Sequence, residues 1–122
     1  MNNQQAFNSV WDYFIILRRA PGARSNGECC YITPTGKRCA IGCLVSETEA
    51  LRMQNFNGVT GISEQECVPK VLQDCDISFL DSLQGAHDSS VGLAMFGDFH
   101  EAMKRKLTDL AERFNLKVPS GS

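Results

Sequence analysis

Large apolar residues recur at helical spacing near both ends of the chain. Side chains on one face of an α-helix return every three to four residues, so the two stripes predict long helices at the N- and C-terminal ends. The first helix is expected to stop before Pro21-Gly22, and the second to begin at Asp98 and close at a left-handed Asn115. The stripes are Phe7, Val10, Phe14 and Leu17, and Phe99, Met103, Leu107, Leu110 and Phe114.

Shorter helices are predicted between the two stripes. Ser46 and Ser63 each begin a capping box, in which the hydroxyl and a carboxylate three residues later satisfy the first free N–H groups of a helix. Pro69 suits the first position of a further helix. Residues 76–88 carry a third stripe, and it includes a histidine: Phe79, Leu80, Leu83 and His87.

Residues 29–44 have the pattern of a β-hairpin. The turn sequence Pro34-Thr35-Gly36-Lys37 separates two short apolar segments. A three-residue loop, which Pro-Xaa-Gly favours, pairs Thr33 with Lys37 and places Cys30 and Cys39 on opposite faces. A two-residue loop shifts the register by one residue and would place both cysteines on one face.

These elements predict an α+β fold, with one mainly helical globular domain over residues 1–122 and a single β-hairpin between the N-terminal helix and the later helices. A chain of 122 residues that is 43% apolar and 21% charged can bury a core unaided. No apolar run is long enough to span a membrane. The N-terminal segment lacks the basic start and cleavage site of a signal peptide. We therefore expect a cytoplasmic protein whose six cysteines are reduced.

Charge is distributed unevenly although the net charge is only −2. Residues 1–40 carry a net charge of +3, residues 41–101 carry −8, and residues 102–122 carry +3. We expect the basic terminal elements to pack beside the acidic middle of the chain, so that their charges neutralise each other within the fold. A nucleic-acid-binding face is the weaker interpretation, because the chain is acidic overall and contains no nucleic-acid-binding motif.

Three short strings carry a family resemblance. The first runs from Cys30 and Tyr31 through Gly36 to Cys39-Ala40-Ile41-Gly42-Cys43-Leu44, the second is Leu83-Gln84-x-x-His87-Asp88, and the third is Leu110-Ala111-x-x-Phe114-x-Leu116. Together they resemble small uncharacterised proteins of bacteria and their phages, a family without an assigned activity. The resemblance implies a bacterial or phage origin and no mechanism. The chain departs from that pattern after Leu44, where Val45-Ser46-Glu47 replaces an expected Ile-Pro-Asp.

A cysteine–histidine hydrolase is one alternative function. It needs a thiolate near a helix N-terminus, a histidine within hydrogen-bond reach and a group that orients the histidine. Cys43, or Cys39, together with His87 would supply the first two. Asp88 directly follows His87 and is not expected to orient it, so the orienting group would be Asn55, Asn57 or Asp98.

A small zinc site is the second alternative, with Cys30, Cys39, Cys43 and His87 as ligands. Zinc-binding turns usually present cysteines in C-x2-C or C-x4-C spacing, which the cysteines at 29, 30, 39 and 43 do not have. We therefore expect neither a metal nor another cofactor. Cys39 and Cys43 are predicted to be buried structural thiols that form an inward row with Ile41.

Binding to a macromolecular partner is the function that the sequence favours, and the partner is expected to be a protein. The chain is small, its charge is segregated, and it lacks the phosphate-binding, dinucleotide-binding, zinc-protease and serine-hydrolase motifs. The resemblance suggests an accessory protein that inhibits or modulates host machinery. We expect no nucleic acid or membrane as partner. The predicted contact is the exposed hairpin tip at Pro34–Arg38, with Arg24 nearby in sequence, and its binding residues would be Arg24, Pro34, Lys37 and Arg38.

Overall fold

The computed structural model describes residues 1–22, 31–33, 35–53, 70–93 and 97–119. These residues form α-helices joined by shorter helical turns. In chain order the elements are α1 (Asn3–Trp11), a π-helix (Asp12–Ile16), a 3₁₀ turn (Gly42–Leu44), α2 (Glu47–Met53), a second 3₁₀ turn (Lys70–Leu72), α3 (Ile77–Leu93) and α4 (Phe99–Arg113).

The predicted β-hairpin is wrong, because the described residues contain no strand or sheet and the fold there is helical, not α+β. A tight turn is present, since Thr33 N–H donates to Lys37 O at 2.8 Å. The only pairing of its two flanks is an isolated bridge between Ile32 and Arg38 within the described residues. Cys30 and the preceding residues from position 23 onward lie outside that part of the chain.

The burial pattern explains why the second flank does not continue as a strand. A half-buried strand alternates between buried and exposed side chains, whereas Cys39, Ala40 and Ile41 are all fully buried. Three consecutive buried side chains are possible here because the backbone forms a helical turn instead of a strand. Cys43 N–H donates to Cys39 O at 3.0 Å, which begins this turn. A Cβ atom added at Gly42 would lie 1.9 Å from Tyr31 O, so only glycine allows this close approach of two backbone segments.

The first apolar stripe ends earlier than its spacing predicts. Leu17 N–H donates to Asp12 O at 2.9 Å, five residues back, as in a π-helix. A π-turn contains one more residue than an α-turn, so the next apolar position rotates off the buried face. Phe14 is fully buried, whereas Leu17 is 53% exposed. The predicted helix is therefore present, but the predicted burial of Leu17 is wrong.

The predicted N-terminal caps of α2 and α4 are confirmed. Ser46 Oγ accepts the N–H of Glu49 at 3.2 Å, and Asp98 Oδ1 accepts the N–H of His100 at 2.8 Å. Each bond satisfies one of the N–H groups that a helix start leaves without a partner. The cap predicted at Ser63 and the helix start predicted at Pro69 lie outside the described residues.

The predicted left-handed C-cap of α4 is also confirmed. Asn115 has a φ angle of 57°, and Leu116 N–H donates to Ala111 O at 2.7 Å. The side chain of Leu116 packs against the core, which is the apolar contact that accompanies this motif. The cap thus turns the chain back toward α1, where Lys117 N–H donates to Gln4 Oε1 at 2.9 Å.

The core lies between α3 and α4, with α1 and the π-helix packed against them. The stripe predicted for α3 is fully buried, and the ring of Phe79 meets that of Phe114 edge-on at 5.2 Å. Phe14 contacts Phe99 in the same way at 5.7 Å. No described helix combines the length and the apolar character that crossing a membrane requires. The large side chains at the centre are Phe7, Trp11, Phe14, Ile41, Leu72, Phe79, Leu80, Leu83, Met103 and Leu107.

Candidate functional site

His87 is held in the interior by two hydrogen bonds and two aromatic rings. Its side chain is fully buried on α3. The backbone N–H of Gly22 donates to Nε2 at 3.0 Å, and Nδ1 lies 2.9 Å from Asp88 Oδ1. The rings of Phe14 and Phe99 lie 5.6 and 5.8 Å from the imidazole.

These contacts fix the tautomer of the histidine. An N–H group can only donate, so Nε2 must accept from Gly22 and carries no proton. The proton of the neutral imidazole then resides on Nδ1, from which it is donated to the carboxylate of Asp88. Both ring nitrogens of His87 are therefore engaged.

The bonds of His87 belong to a larger network that joins three parts of the chain. Asp88 Oδ1 also accepts from Gln84 Nε2 at 2.9 Å, and Gln84 Oε1 accepts the backbone N–H of Ile41 at 3.3 Å. One turn of α3 thus binds the segment at Gly22 and the turn at Ile41. His87, Gln84 and Ile41 are buried, whereas Asp88 is 45% exposed. Polar groups that satisfy one another in this way specify how segments dock.

The orienting role of Asp88 was missed by the sequence reasoning. Adjacency in sequence suggested that its carboxylate could not reach the imidazole, yet the two side chains meet at 2.9 Å. Asp98 instead caps α4 and pairs with Arg18 at 3.4 Å, while Asn55 and Asn57 lie outside the described residues. The Leu-Gln-x-x-His-Asp string was the available signal, since Gln84 and Asp88 are one helical turn apart.

The two described thiols nearest this network are engaged in local bonds. Gly42 N–H donates to Cys39 Sγ at 3.2 Å, and Cys43 Sγ donates to Ala40 O at 3.2 Å. Burial raises the pKa of Cys39 to about 12. Burial, and then the neighbouring Cys39, also raise the pKa of Cys43. A nucleophilic cysteine needs the opposite shift, toward thiolate at neutral pH.

The predicted inward row is present only in part. Cys39 and Ile41 are fully buried, whereas Cys43 is partly buried at the edge of the core. The alternative zinc site would also need Cys30, which lies outside the described residues. Among the residues that are described, no group of three or more potential ligands lies close enough together to hold a metal ion.

Of the four residues predicted to form the contact, the structure describes Lys37 and Arg38, and these two differ in exposure. Arg24 and Pro34 lie outside the described residues. Lys37 is exposed. The Arg38 guanidinium is partly buried and donates to Val45 O at 2.9 Å and more weakly to Gly42 O at 3.5 Å. Arg38 therefore fixes the turn that follows it, and Lys37 is the described member of the set whose side chain reaches solvent freely.

Apolar and basic side chains meet where the first helical segment ends. Ile16 and Leu17 are exposed, and Arg18 and Arg19 follow them directly. We call the surface formed by Ile16, Leu17, Arg18, Arg19 and Lys37 the basic end. The turn that carries Lys37 lies beside this segment, because Arg38 forms a parallel bridge with Pro21.

One hydrogen bond to the backbone and one ion pair between side chains connect the basic end to the start of α4. His100 Nε2 donates to Arg19 O at 3.0 Å, and Arg18 reaches Asp98 at 3.4 Å. The N–H of His100, and to a smaller degree the charge of Arg18, hold the pKa of Asp98 below its usual value. Asp98 thus stays ionised and links the start of α4 to the end of the π-helix.

A shallow groove with a volume of about 300 Å³ runs between α3 and α4. Small side chains of α3 face charged side chains of α4 across it, and Arg113 donates to Ser82 Oγ at 2.6 Å. Its lining residues are Ser82, Ala86, Ser89, Lys106, Asp109, Leu110 and Arg113.

The chain was compared with protein-family models, with curated proteins and with solved structures, and none of them matched. Function is therefore inferred from the geometry of the described residues.

Proposed function

We propose that this protein acts by binding another protein through the basic end. The observation that carries the proposal is the exposure of Ile16 and Leu17, at 43% and 53%. These two large apolar side chains are adjacent and lie directly before Arg18 and Arg19. The other large apolar residues exposed in the described part of the chain are not neighbours in sequence: Leu51, Val71 and Val118.

Hydrogen bonds within the protein order the backbone of the basic end. Arg19 N–H donates to Tyr13 O at 3.1 Å, and Arg19 O is bound by His100. Arg18 adopts a left-handed conformation with a φ angle of 51°, which turns the chain after Leu17. Ordering a loop costs binding free energy, so a surface that is already ordered binds more tightly for the same contacts.

The combination of residue types also supports a protein partner. Single exposed apolar side chains are common on protein surfaces, but here two consecutive ones directly precede two arginines in the sequence. Protein interfaces combine an apolar centre with a polar rim and are enriched in arginine. We place the protein in the cytoplasm of a bacterium or an infected bacterium, as an accessory protein that modulates host machinery. The free thiols of Cys39, Cys43 and Cys75 support a reducing compartment.

The cysteine–histidine hydrolase is the weaker candidate. Its base would be His87, whose buried imidazole has both nitrogens engaged, one by Gly22 and one by Asp88. Its nucleophile would be Cys43 or Cys39, and burial raises the pKa of both thiols. This pattern stabilises the fold and leaves neither group prepared for catalysis.

Capture from a bacterial lysate with matched variants tests the proposal. Immobilised wild-type protein is expected to retain one or more proteins that the double variant Ile16→Ser/Leu17→Ser fails to retain. The control variant Leu51→Ser/Val118→Ser removes an equal amount of exposed apolar surface elsewhere and should retain the same proteins. Equal capture by wild type and the Ile16→Ser/Leu17→Ser variant would overturn the proposal.

A further inference from the structure

The basic end carries positive charge that the described fold does not neutralise. Arg18 is paired with Asp98 at 3.4 Å. Within the described ranges, no carboxylate lies within 4.0 Å of a charged nitrogen of Arg19 or Lys37. Both side chains are exposed. Two cations therefore remain available to a binding partner beside the apolar pair.

Tyr13, in the π-helix, contacts the backbone of both Arg19 and Arg38. Burial raises the pKa of Tyr13, and the positive charges of Arg38 and Arg19 oppose that rise. The backbone of Arg38 forms a hydrogen bond with Tyr13 that also opposes the rise, and Arg19 N–H donates to Tyr13 O at 3.1 Å. Together with the bridge between Pro21 and Arg38, these bonds bring the turn that carries Lys37 beside the segment that carries Arg19.

Acidic residues do not cancel the charge of this region. Asp98 pairs with Arg18 and accepts a hydrogen bond from the N–H of His100 at the start of α4. Asp12, one turn before Ile16, is exposed. Among the described residues named here, four are basic (Arg18, Arg19, Lys37 and Arg38) and two are acidic (Asp12 and Asp98), so this part of the described surface is positive although the whole chain carries −2.

We infer that the basic end binds an acidic protein segment that also carries apolar side chains. This inference rests on the proposed function and specifies the chemistry of the partner. Carboxylates of the segment pair with Arg19 and Lys37, and its apolar side chains cover Ile16 and Leu17. Complementary charge sets the orientation and speeds association, while the apolar contact supplies most of the affinity.

The observations favour a protein segment over the other polyanions. An interfacial membrane helix needs a long apolar face bordered by basic residues, whereas this surface presents two apolar side chains at a helix end. A nucleic-acid site needs a basic stripe, usually with aromatic side chains for stacking. Phe14 beside this surface is fully buried, and the partly buried Tyr13 packs edge-on against it at 4.8 Å.

Selection from a library of displayed random peptides tests the inference directly. Peptides retained by the wild-type protein are expected to be rich in Asp and Glu and to contain Leu, Phe or Ile. Their binding should weaken at least about tenfold in Arg19→Glu/Lys37→Glu and as the salt concentration rises. The matched control Arg105→Glu/Lys117→Glu reverses two other exposed cations and should bind like the wild type.

Several outcomes would overturn the inference. Retained peptides that are basic or uncharged, or no retained peptide at all, would contradict it. So would stronger binding to phosphatidylserine vesicles or to DNA than to the selected peptides. Lysate capture separates this failure from failure of the proposed function. Capture that needs Ile16 and Leu17 but is unchanged in Arg19→Glu/Lys37→Glu supports a protein partner and overturns an acidic one.

Discussion

Gly22 and His87 lie 65 residues apart in the chain, yet the N–H of Gly22 donates to His87 Nε2 at 3.0 Å inside the protein. The bond ties the segment after the π-helix to the middle of α3. Because the imidazole is also enclosed by Phe14 and Phe99, His87 acts as both a packing residue and a hydrogen-bond acceptor. Its role in the fold therefore explains its burial without requiring catalysis.

Substitution of His87 should separate these two contributions. His87→Ala is expected to lower the free energy of unfolding by about 3–4 kcal/mol, because it leaves a cavity and an unpaired N–H. The side chain introduced by His87→Phe is slightly larger than the imidazole, so this variant leaves no cavity but removes the acceptor, and it should cost less, about 1–3 kcal/mol. Urea denaturation measures both. A His87→Phe variant as stable as the wild type would show that the bond from Gly22 contributes nothing.

Gly42 is expected to tolerate no side chain. An added Cβ would meet Tyr31 O at 1.9 Å, and a backbone atom cannot move aside as a flexible side chain can. Gly42→Ala should therefore cost roughly 3 kcal/mol or more, since the turn at Ile41 must shift. Thermal or urea denaturation provides the measurement.

Gly85 offers a matched control for Gly42. It lies within α3, and nothing is found within 4 Å of a Cβ built there. Gly85→Ala should raise the stability by about 0.5–1 kcal/mol, because alanine favours the helix and meets no obstacle. If both alanine variants changed the stability equally, this result would contradict the close approach of the Gly42 backbone to Tyr31 O.

The helices were predictable from the sequence because their signals are local. The stripe from Phe99 to Leu110, the cap at Asp98 and the left-handed Asn115 each depend on residues within a few positions, and all were confirmed. A buried face and its caps specify a helix regardless of what packs against it.

The hairpin and the histidine network were not predictable, because contacts distant in sequence decide them. A turn sequence between apolar segments predicted strands, but burial of Cys39, Ala40 and Ile41 together required a helical turn. The bond from Gly22 to His87 joins segments that no periodicity relates. Tertiary packing therefore overrode the local preference for strand.

Cys39 should behave as a buried, unreactive thiol. Burial raises its pKa to about 12, so the thiol stays protonated across the neutral range and reacts only when the protein opens. Labelling of the native protein with a small maleimide near neutral pH is expected to leave Cys39 unmodified, while denatured protein is labelled fully. Mass spectrometry of peptides gives the site of labelling.

The stability of a truncated variant provides the second measurement on Cys39. Cys39→Ala should lower the free energy of unfolding by about 1–2 kcal/mol, as expected for a small cavity. Rapid labelling of Cys39 in the native state, together with an unchanged stability in Cys39→Ala, would show that this thiol is accessible and not part of the core.

The π-helix predicts opposite outcomes for two residues of one apolar stripe. Phe14 is fully buried and contacts Phe99 and His87, so Phe14→Ala should cost about 3–5 kcal/mol. Leu17 is 53% exposed, and Leu17→Ala should change the stability by about 0.5 kcal/mol or less. A regular α-helix would bury both positions, and both variants would then be strongly destabilised. Urea denaturation of the two variants distinguishes these arrangements. A large loss of stability in Leu17→Ala would contradict the π-turn from Asp12 to Leu17, which contains one residue more than an α-turn.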